Sequence, residues 1–265
     1  MKNKQLVFSL TLLFFVCGTR LAIAQGDSTS IAKKELKAFL VIELFTAEGC
    51  AACLPADELI LQKEKEAEKE GSSIYFLNYH VGYWDYLGWK DVLADKKFEA
   101  HQDYYSSYFP NAKSYTPQLV VNGTNEFTGS DDHLLRRSVE DAMQHPKENY
   151  FLEVKANKKD TAYVTVVSQL SSIPANCQLQ IALVEKNLSP ANVKSGENKG
   201  VKINRYSAVR LLETIPNPQL KNRIDLKFSS KNSLNKTDKK FSVVIYLQDK
   251  DGREIYSVEA VDLKL

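Results

Sequence analysis

Little in the bulk composition separates this chain from any other soluble domain. Of 265 residues only four are cysteine, eight are proline and two are tryptophan, and 35 basic side chains stand against 33 acidic ones for a net charge of +2. So few cysteines exclude a disulfide-packed scaffold. Balanced charge with no basic stripe gives nucleic acid nothing to hold. The one long apolar run, Leu6 to Val16, falls well short of the ~18–20 residues that a membrane-spanning helix needs. No second Cys/His cluster with metal-ligand spacing appears, which weakens structural zinc.

The apolar run follows Met1-Lys2-Asn3-Lys4 and precedes the small residues Ala22-Ile23-Ala24, so residues 1–24 read as a secretory signal. Cys17 invites a lipoprotein reading, but Phe14-Phe15-Val16 lacks the small residue wanted before an acylated cysteine. Cleavage would remove Lys2, Lys4 and Arg20 and no acid, taking the net charge from +2 to −1. A periplasmic or secreted chain with no membrane span after cleavage is expected. Such a chain lives where disulfides persist. Residues 25–35 form a polar lead-in.

What is present is concentrated in Val41-Ile-Glu-Leu-Phe-Thr-Ala-Glu-Gly-Cys50-Ala-Ala-Cys53-Leu-Pro55. A strand-like run breaks at Gly49 and opens into a helix-like run. A cysteine at a helix start lies where unpaired N–H groups and the dipole favour its thiolate, and a second one three residues on is within disulfide reach. That is what a redox dithiol needs: one thiolate attacks a disulfide and its neighbour resolves the intermediate. A structural disulfide, or half of a metal site, remains open. Cys177, the cysteine left over, reads as a small core residue.

From residue 36 to 147 strand-like and helix-like runs alternate, the pattern of an α/β layer. A helix from Pro55 to Glu70 is followed by the strand Ser73–Tyr79. If a right-handed crossover makes the two strands parallel, both deliver their ends to one sheet edge, where ligands bind in open α/β sheets. Off the second strand comes His80-Val-Gly-Tyr83-Trp84-Asp85-Tyr-Leu-Gly-Trp89. His80 can stabilise a thiolate, move its proton, complete a copper or zinc site with Cys50 and Cys53, or be a satisfied core histidine. A helix over Phe98–Tyr108 precedes a strand opened by Pro117, and Asn122-Gly123 predicts a tight hairpin. Ser130-Asp131-Asp132 caps a last helix.

Residues 148–265 show short alternating segments at the spacing of a mostly antiparallel β-sandwich. A polar stretch, Glu185 to Asn222, interrupts them. It holds Gly196-Glu197-Asn198, and can fold over the dithiol, recognise a partner or form a hairpin.

The residues Val41–Thr46, Gly49-Cys50 and Cys53, Pro55-Ala56-Asp57, His80-Val81 with Tyr83–Tyr86 and Gly88-Trp89, Tyr115-Thr116-Pro117-Gln118 and Gly196-Glu197-Asn198 together resemble the thioredoxin-like superfamily. Within it the chain is most similar to a secreted bacterial group called domain of unknown function twelve-twenty-three. The resemblance implies a thioredoxin-like fold of a central mixed sheet flanked by helices. It also implies an exposed attacking thiol at Cys50, a resolving thiol at Cys53, and a cis-proline at Pro117 that leaves Thr116 free to pair with substrate. Tyr83, Trp84, Asp85 and Gln118 are then candidate substrate contacts. Ala51-Ala52 replaces the Gly-Pro of thioredoxin, and no tryptophan precedes Cys50, so neither potential nor partner carries over. Glu43, seven positions before Cys50, is a candidate proton acceptor if burial raises its pKa, or a carboxylate held by backbone or tyrosine. The expectation is a thiol-disulfide oxidoreductase acting on protein thiols or disulfides without a cofactor, against a copper or zinc protein or a non-catalytic module.

Overall fold

A computed structural model describes residues 36–109, 113–158, 163–227 and 240–263. The signal and lead-in expected over 1–35 lie outside the described residues. The first half runs β1 (Leu36–Lys37), β2 (Leu40–Thr46), a 3-10 turn (Ala51–Cys53), α1 (Leu54–Glu70), β3 (Ile74–His80), a second 3-10 turn (Asp85–Leu87), α2 (Lys96–Ser106), β4 (Gln118–Val121), β5 (Asn125–Thr128) and α3 (Asp132–Gln144). The second half adds β6 (Lys147–Glu148), β7 (Phe151–Lys158), β8 (Tyr163–Leu170), β9 (Cys177–Lys186), β10 (Leu188–Asn192), β11 (Lys202–Arg205), β12 (Ala208–Ile215), β13 (Lys221–Lys227), β14 (Lys240–Asp249) and β15 (Ile255–Asp262).

β2 is buried along its whole length, as an apolar run in a sheet covered on both faces should be, with Glu43 the one charged side chain in it. Leu40, Ile42 and Leu44 pack with Ala56 and Ile60 of α1 and Leu135 of α3. Val41 and Phe45, on the opposite face, pack with Tyr79, Phe98 and Tyr105 and with both redox-spaced cysteines. Pro55 sits in the first turn of α1, where its missing N–H costs nothing, and the Asp131 side chain caps α3 by accepting from the Leu134 N–H. β2 and β3 are parallel, with Thr46 opposite His80, while β4 runs antiparallel to β2 and β5 to β4. The hairpin between β4 and β5 turns through Asn122 and Gly123, both at positive φ.

The boundary placed at 147/148 is not a break in the sheet. Eight strands form one sheet in the order β15-β14-β9-β12-β3-β2-β4-β5, so strands from both halves share one hydrogen-bonded layer. The join is β12, antiparallel to β9 on one side and parallel to β3 at Ala208↔Asn78 on the other. A three-stranded sheet, β13-β8-β7, packs Phe151, Val164 and Val166 against Leu179, Ile181, Val243 and Ile245 of the large sheet. The expected sandwich is therefore a second layer laid on an extension of the first-half sheet. The fold is mixed α/β and largely β. Cys177 starts β9 and is buried in that layer. Among the described residues, no helix is long and apolar enough to cross a membrane.

Candidate functional site

Parallel β2 and β3 end on one edge, and the chain leaving each builds the site. After β2, the Cys50 N–H donates to Ala47 O and the Cys53 N–H to Cys50 O, which winds the chain into α1. Cys50 and Cys53 are joined in a disulfide with their Cα atoms 5.4 Å apart. No side chain of the turn caps its start; the Ala51 N–H instead donates to Glu197 Oε2 at 3.0 Å.

The Thr116–Pro117 peptide is cis and Pro117 is buried. Thr116 faces the dithiol, its carbonyl oxygen 3.9 Å and its hydroxyl 3.5 Å from Cys50 Sγ. The same hydroxyl accepts from Trp84 Nε1 at 2.7 Å, and Trp84 Cβ packs so close to Gly49 that an added methyl there would lie 3.3 Å away. Trp84 and Thr116 thus stand over Cys50. The exposed attacking thiol implied by the resemblance is not what the fold presents: Cys50 and Cys53 are both 0% exposed. Ala51 and Ala52 between them are the exposed residues.

Two of the candidate residues are enclosed elsewhere. Glu43 is fully buried, its carboxylate accepting from Tyr105 and Tyr246 hydroxyls at 2.5 and 3.0 Å and lying 2.8 Å from His101 Nε2. It is a carboxylate held by tyrosines. Gln118 is also 0% exposed, bonded to Gln102 and to Glu126. With its amide tied to both neighbours, Gln118 is a structural link between β4 and α2. Tyr83, partly buried, donates to Gln102.

His80 leads into a second group. Its Nδ1 lies 2.7 Å from Asp91 Oδ2, and Asp91 also accepts from the N–H groups of Glu48 and Leu93. Asp85 accepts from the Asp91 N–H and so shapes this loop. Glu48 takes Trp89 Nε1 at 2.8 Å on one oxygen and Arg205 Nε at 2.5 Å on the other. Asp57, one helical turn beyond Cys53 and therefore on the same face of the helix, accepts from Thr46 Oγ1 at 2.8 Å. Burial pushes the Asp57 carboxyl up to about 7, with Asp91 and Glu48 adding to the rise and His80 and Thr46 opposing it. Burial works against the His80 imidazolium, but Asp91, Glu48 and Asp57 outweigh it and raise its pKa. Burial likewise disfavours the Asp91 carboxylate, and His80 with two backbone N–H groups reverses that, so its pKa falls. His80 and Asp91 are an ion pair.

Glu48, His80 and Asp91 each offer a ligand atom within 4.8 Å of the others, a spacing that can hold a metal. The set contains neither cysteine, so it differs from the Cys50, Cys53 and His80 set considered from sequence, whose sulfurs are here joined to each other. Arg205 and Trp89 already occupy both Glu48 oxygens.

Spacing alone could have found Asp57, four residues after Cys53. Nothing in the sequence pointed to Arg205 or Asp91. Gly196-Glu197-Asn198 forms the tip between β10 and β11, where Asn198 Nδ2 donates to both Glu48 O and Cys50 O, at 2.9 and 3.0 Å. The polar stretch thus does fold onto the dithiol segment.

A family model described as protein of unknown function (DUF1223) matches residues 41–248, most of the chain. The chain belongs to the DUF1223 family. A search of the curated proteins finds no match. Among solved structures, this DUF1223 chain is similar to protein AGR_C_4864 from Agrobacterium tumefaciens, at 23% identity and a TM-score of 0.60, over 87% of this chain and 95% of that one. It is also similar to HBP35 of Porphyromonas gingivalis, at 14% identity and a TM-score of 0.58, over 87% of this chain and 77% of the other. At such identities the likeness of these proteins to the DUF1223 chain speaks for the fold alone.

Proposed function

We propose that the chain is a periplasmic or secreted thiol-disulfide oxidoreductase whose working part is a thioredoxin-like unit within residues 36–147. The observation that carries the reading is the Cys50–Cys53 disulfide at the start of α1 with Thr116 against Cys50 Sγ. The parallel β2-α1-β3 unit, the antiparallel β4–β5 hairpin and the flanking helices support the thioredoxin-like description.

In the reduced protein, the Cys50 thiolate attacks a protein disulfide, forming a mixed disulfide and releasing one substrate thiolate. Cys53 gives up its proton and attacks Cys50 Sγ, which re-forms the internal disulfide and releases the second substrate thiolate. Asp57 is the acceptor for the Cys53 proton. It shares a helix face with Cys53, and a pKa near 7 suits a group that takes and returns a proton at neutral pH. Because Cys50 is covered, Trp84 and Thr116 must shift for a substrate sulfur to approach.

The test is trapping. Cys53→Ser, expressed in a secreting host, acid-quenched and alkylated, should accumulate mixed disulfides on non-reducing electrophoresis, and Cys50→Ser almost none. Equal adducts in both variants, or none in either, would refute the redox assignment. A structural staple would show only lost stability, about 1–3 kcal/mol for so short a loop.

A further inference from the structure

The tip between β10 and β11 is fastened to the dithiol segment from several sides. Ser195 Oγ donates to Gly88 O at 2.6 Å, and Asn198, 2% exposed, bridges Glu48 O and Cys50 O. Below the tip, Ala191, Val193 and Ile203 pack with Leu54 of α1 and with Trp89. The tip is also closed on itself, the Val201 N–H donating to Asn198 O and the Gly200 N–H to Val193 O. Held in this way, the Glu197 carboxylate accepts from the Ala51 N–H, the donor immediately following Cys50.

We propose that Glu197 is the positioning residue that sets the redox poise of the Cys50–Cys53 pair, its carboxylate and a Cys50 thiolate excluding each other at the helix start. The proposal rests on the redox reading above. In the disulfide state Cys50 is uncharged, so the helix start is free to take the Glu197 carboxylate. Reduction by a dithiol passes two electrons into the Cys50–Cys53 bond. The dithiol becomes a disulfide, one of its two protons ends on Cys53, the other goes to solvent, and Cys50 is left as a thiolate. That new negative charge draws on the same N–H groups and the same positive helix end. The carboxylate and thiolate repel, so the tip closed over Cys50 favours the disulfide. By linkage, a Cys50 thiolate weakens the hold of the tip to the same degree.

The experiment is equilibration of the full chain with graded dithiothreitol, followed by acid quench and alkylation to count reduced and oxidised protein. Glu197→Gln keeps the shape and removes the charge. Because Glu197 is exposed and its charge screened, it should shift the equilibrium about threefold toward the dithiol form, a rise in potential of about 14 mV for two electrons. Lys199→Gln, which changes the charge of the same tip without touching Ala51, should leave the equilibrium in place. In wild type, the 193–201 amides should exchange hydrogen faster after reduction; in Glu197→Gln that difference should shrink. An unshifted equilibrium in Glu197→Gln, or an equal shift in Lys199→Gln, would overturn the proposal. This equilibrium can be read for any disulfide, whether or not the protein turns over a protein substrate. Lost trapping with an intact Glu197 effect would therefore refute the oxidoreductase and leave the poise-setting contact standing.

Discussion

Replacing Asp57 by asparagine should make the oxidised protein more stable at alkaline pH and change little in acid. The folded-state pKa of Asp57 is raised from 3.8 to about 7, chiefly by burial. The folded chain therefore keeps a proton that the unfolded chain has already lost. Stability then falls as pH climbs through the interval between the two values, and remains low above it. A rise of about three pKa units corresponds to a ceiling of about 4 kcal/mol. The Asp57 residue retains some surface, and its charge also supports the His80 imidazolium, so about 2 kcal/mol is a fairer expectation. His80 acts in the same direction: its raised pKa adds stability at low pH that is lost as pH rises through the folded value. Asparagine can still accept from Thr46 Oγ1, so the helix start should not be disturbed. Urea denaturation of both proteins from pH 4 to pH 9, disulfide intact, measures the effect. The gap should open between about pH 4 and 7 and then level off. A gap that is constant with pH, or a variant less stable than wild type at pH 8, would refute the placement of Asp57 as a buried proton holder. Asp57→Asn should also slow the resolving step by about a hundredfold, because Cys53 loses its proton acceptor.

Two further substitutions probe the frame around the site. Arg205→Met should cost about 3–5 kcal/mol in chemical denaturation, because it leaves Glu48, whose side chain is 1% exposed, without its cation; adding Glu48→Gln should recover part of the loss. Gly123→Ala should be worse than Gly200→Ala. Both have positive φ, but a Cβ at 123 would lie 1.9 Å from Arg253 O while one at 200 meets nothing within 4 Å, so about 1 kcal/mol is expected at 200 and several at 123.

Local pattern carried the first half of the fold well. β2, α1, β3, α2, the Asn122-Gly123 hairpin and the Asp131 cap are each written in a few neighbouring residues, and the structure places them within a few positions of where the pattern does. The second half shows the limit. Ala208–Ile215 falls inside the stretch that reads as a polar interruption, and no residue in it says that Ala208 pairs beside Asn78, more than a hundred positions earlier. That single pairing turns a separate sandwich into an extension of one sheet. The site divides in the same way. Cys50, Cys53 and Thr116 belong to contiguous motifs, whereas Glu48, Asp91 and Arg205 become partners only through the crossing of β3, its following loop and β11. Glu43 admits two readings for a related reason: a buried acid near a dithiol looks the same in sequence whether it serves the sulfurs or, as here, is held by tyrosines, with Tyr105, Tyr246 and His101 around it.

The charges assembled by that crossing bear on how the dithiol works. Glu48, Asp57, Asp91 and Glu197 converge on the segment carrying Cys50 and Cys53, and the cations described among them are Arg205, committed to Glu48, and His80, committed to Asp91. With those pairs neutral, the carboxyls left without a cation are Asp57, whose pKa of about 7 leaves it divided between its protonated and charged forms near neutral pH, and Glu197, which sits on the N–H of Ala51. The two remaining carboxyls thus take different parts. In the proposed mechanism Asp57, in its deprotonated form, takes the proton of Cys53 and affects the rate of resolution, because it returns to its starting state after each cycle. Glu197 gains or loses nothing in the cycle, so it cannot serve as acid or base there; it changes the energy of the Cys50 thiolate against the disulfide and so affects the equilibrium. A kinetic defect at 57 with an unchanged potential, beside a shifted potential at 197, is the pattern that follows from placing one carboxyl behind Cys53 and the other in front of Cys50.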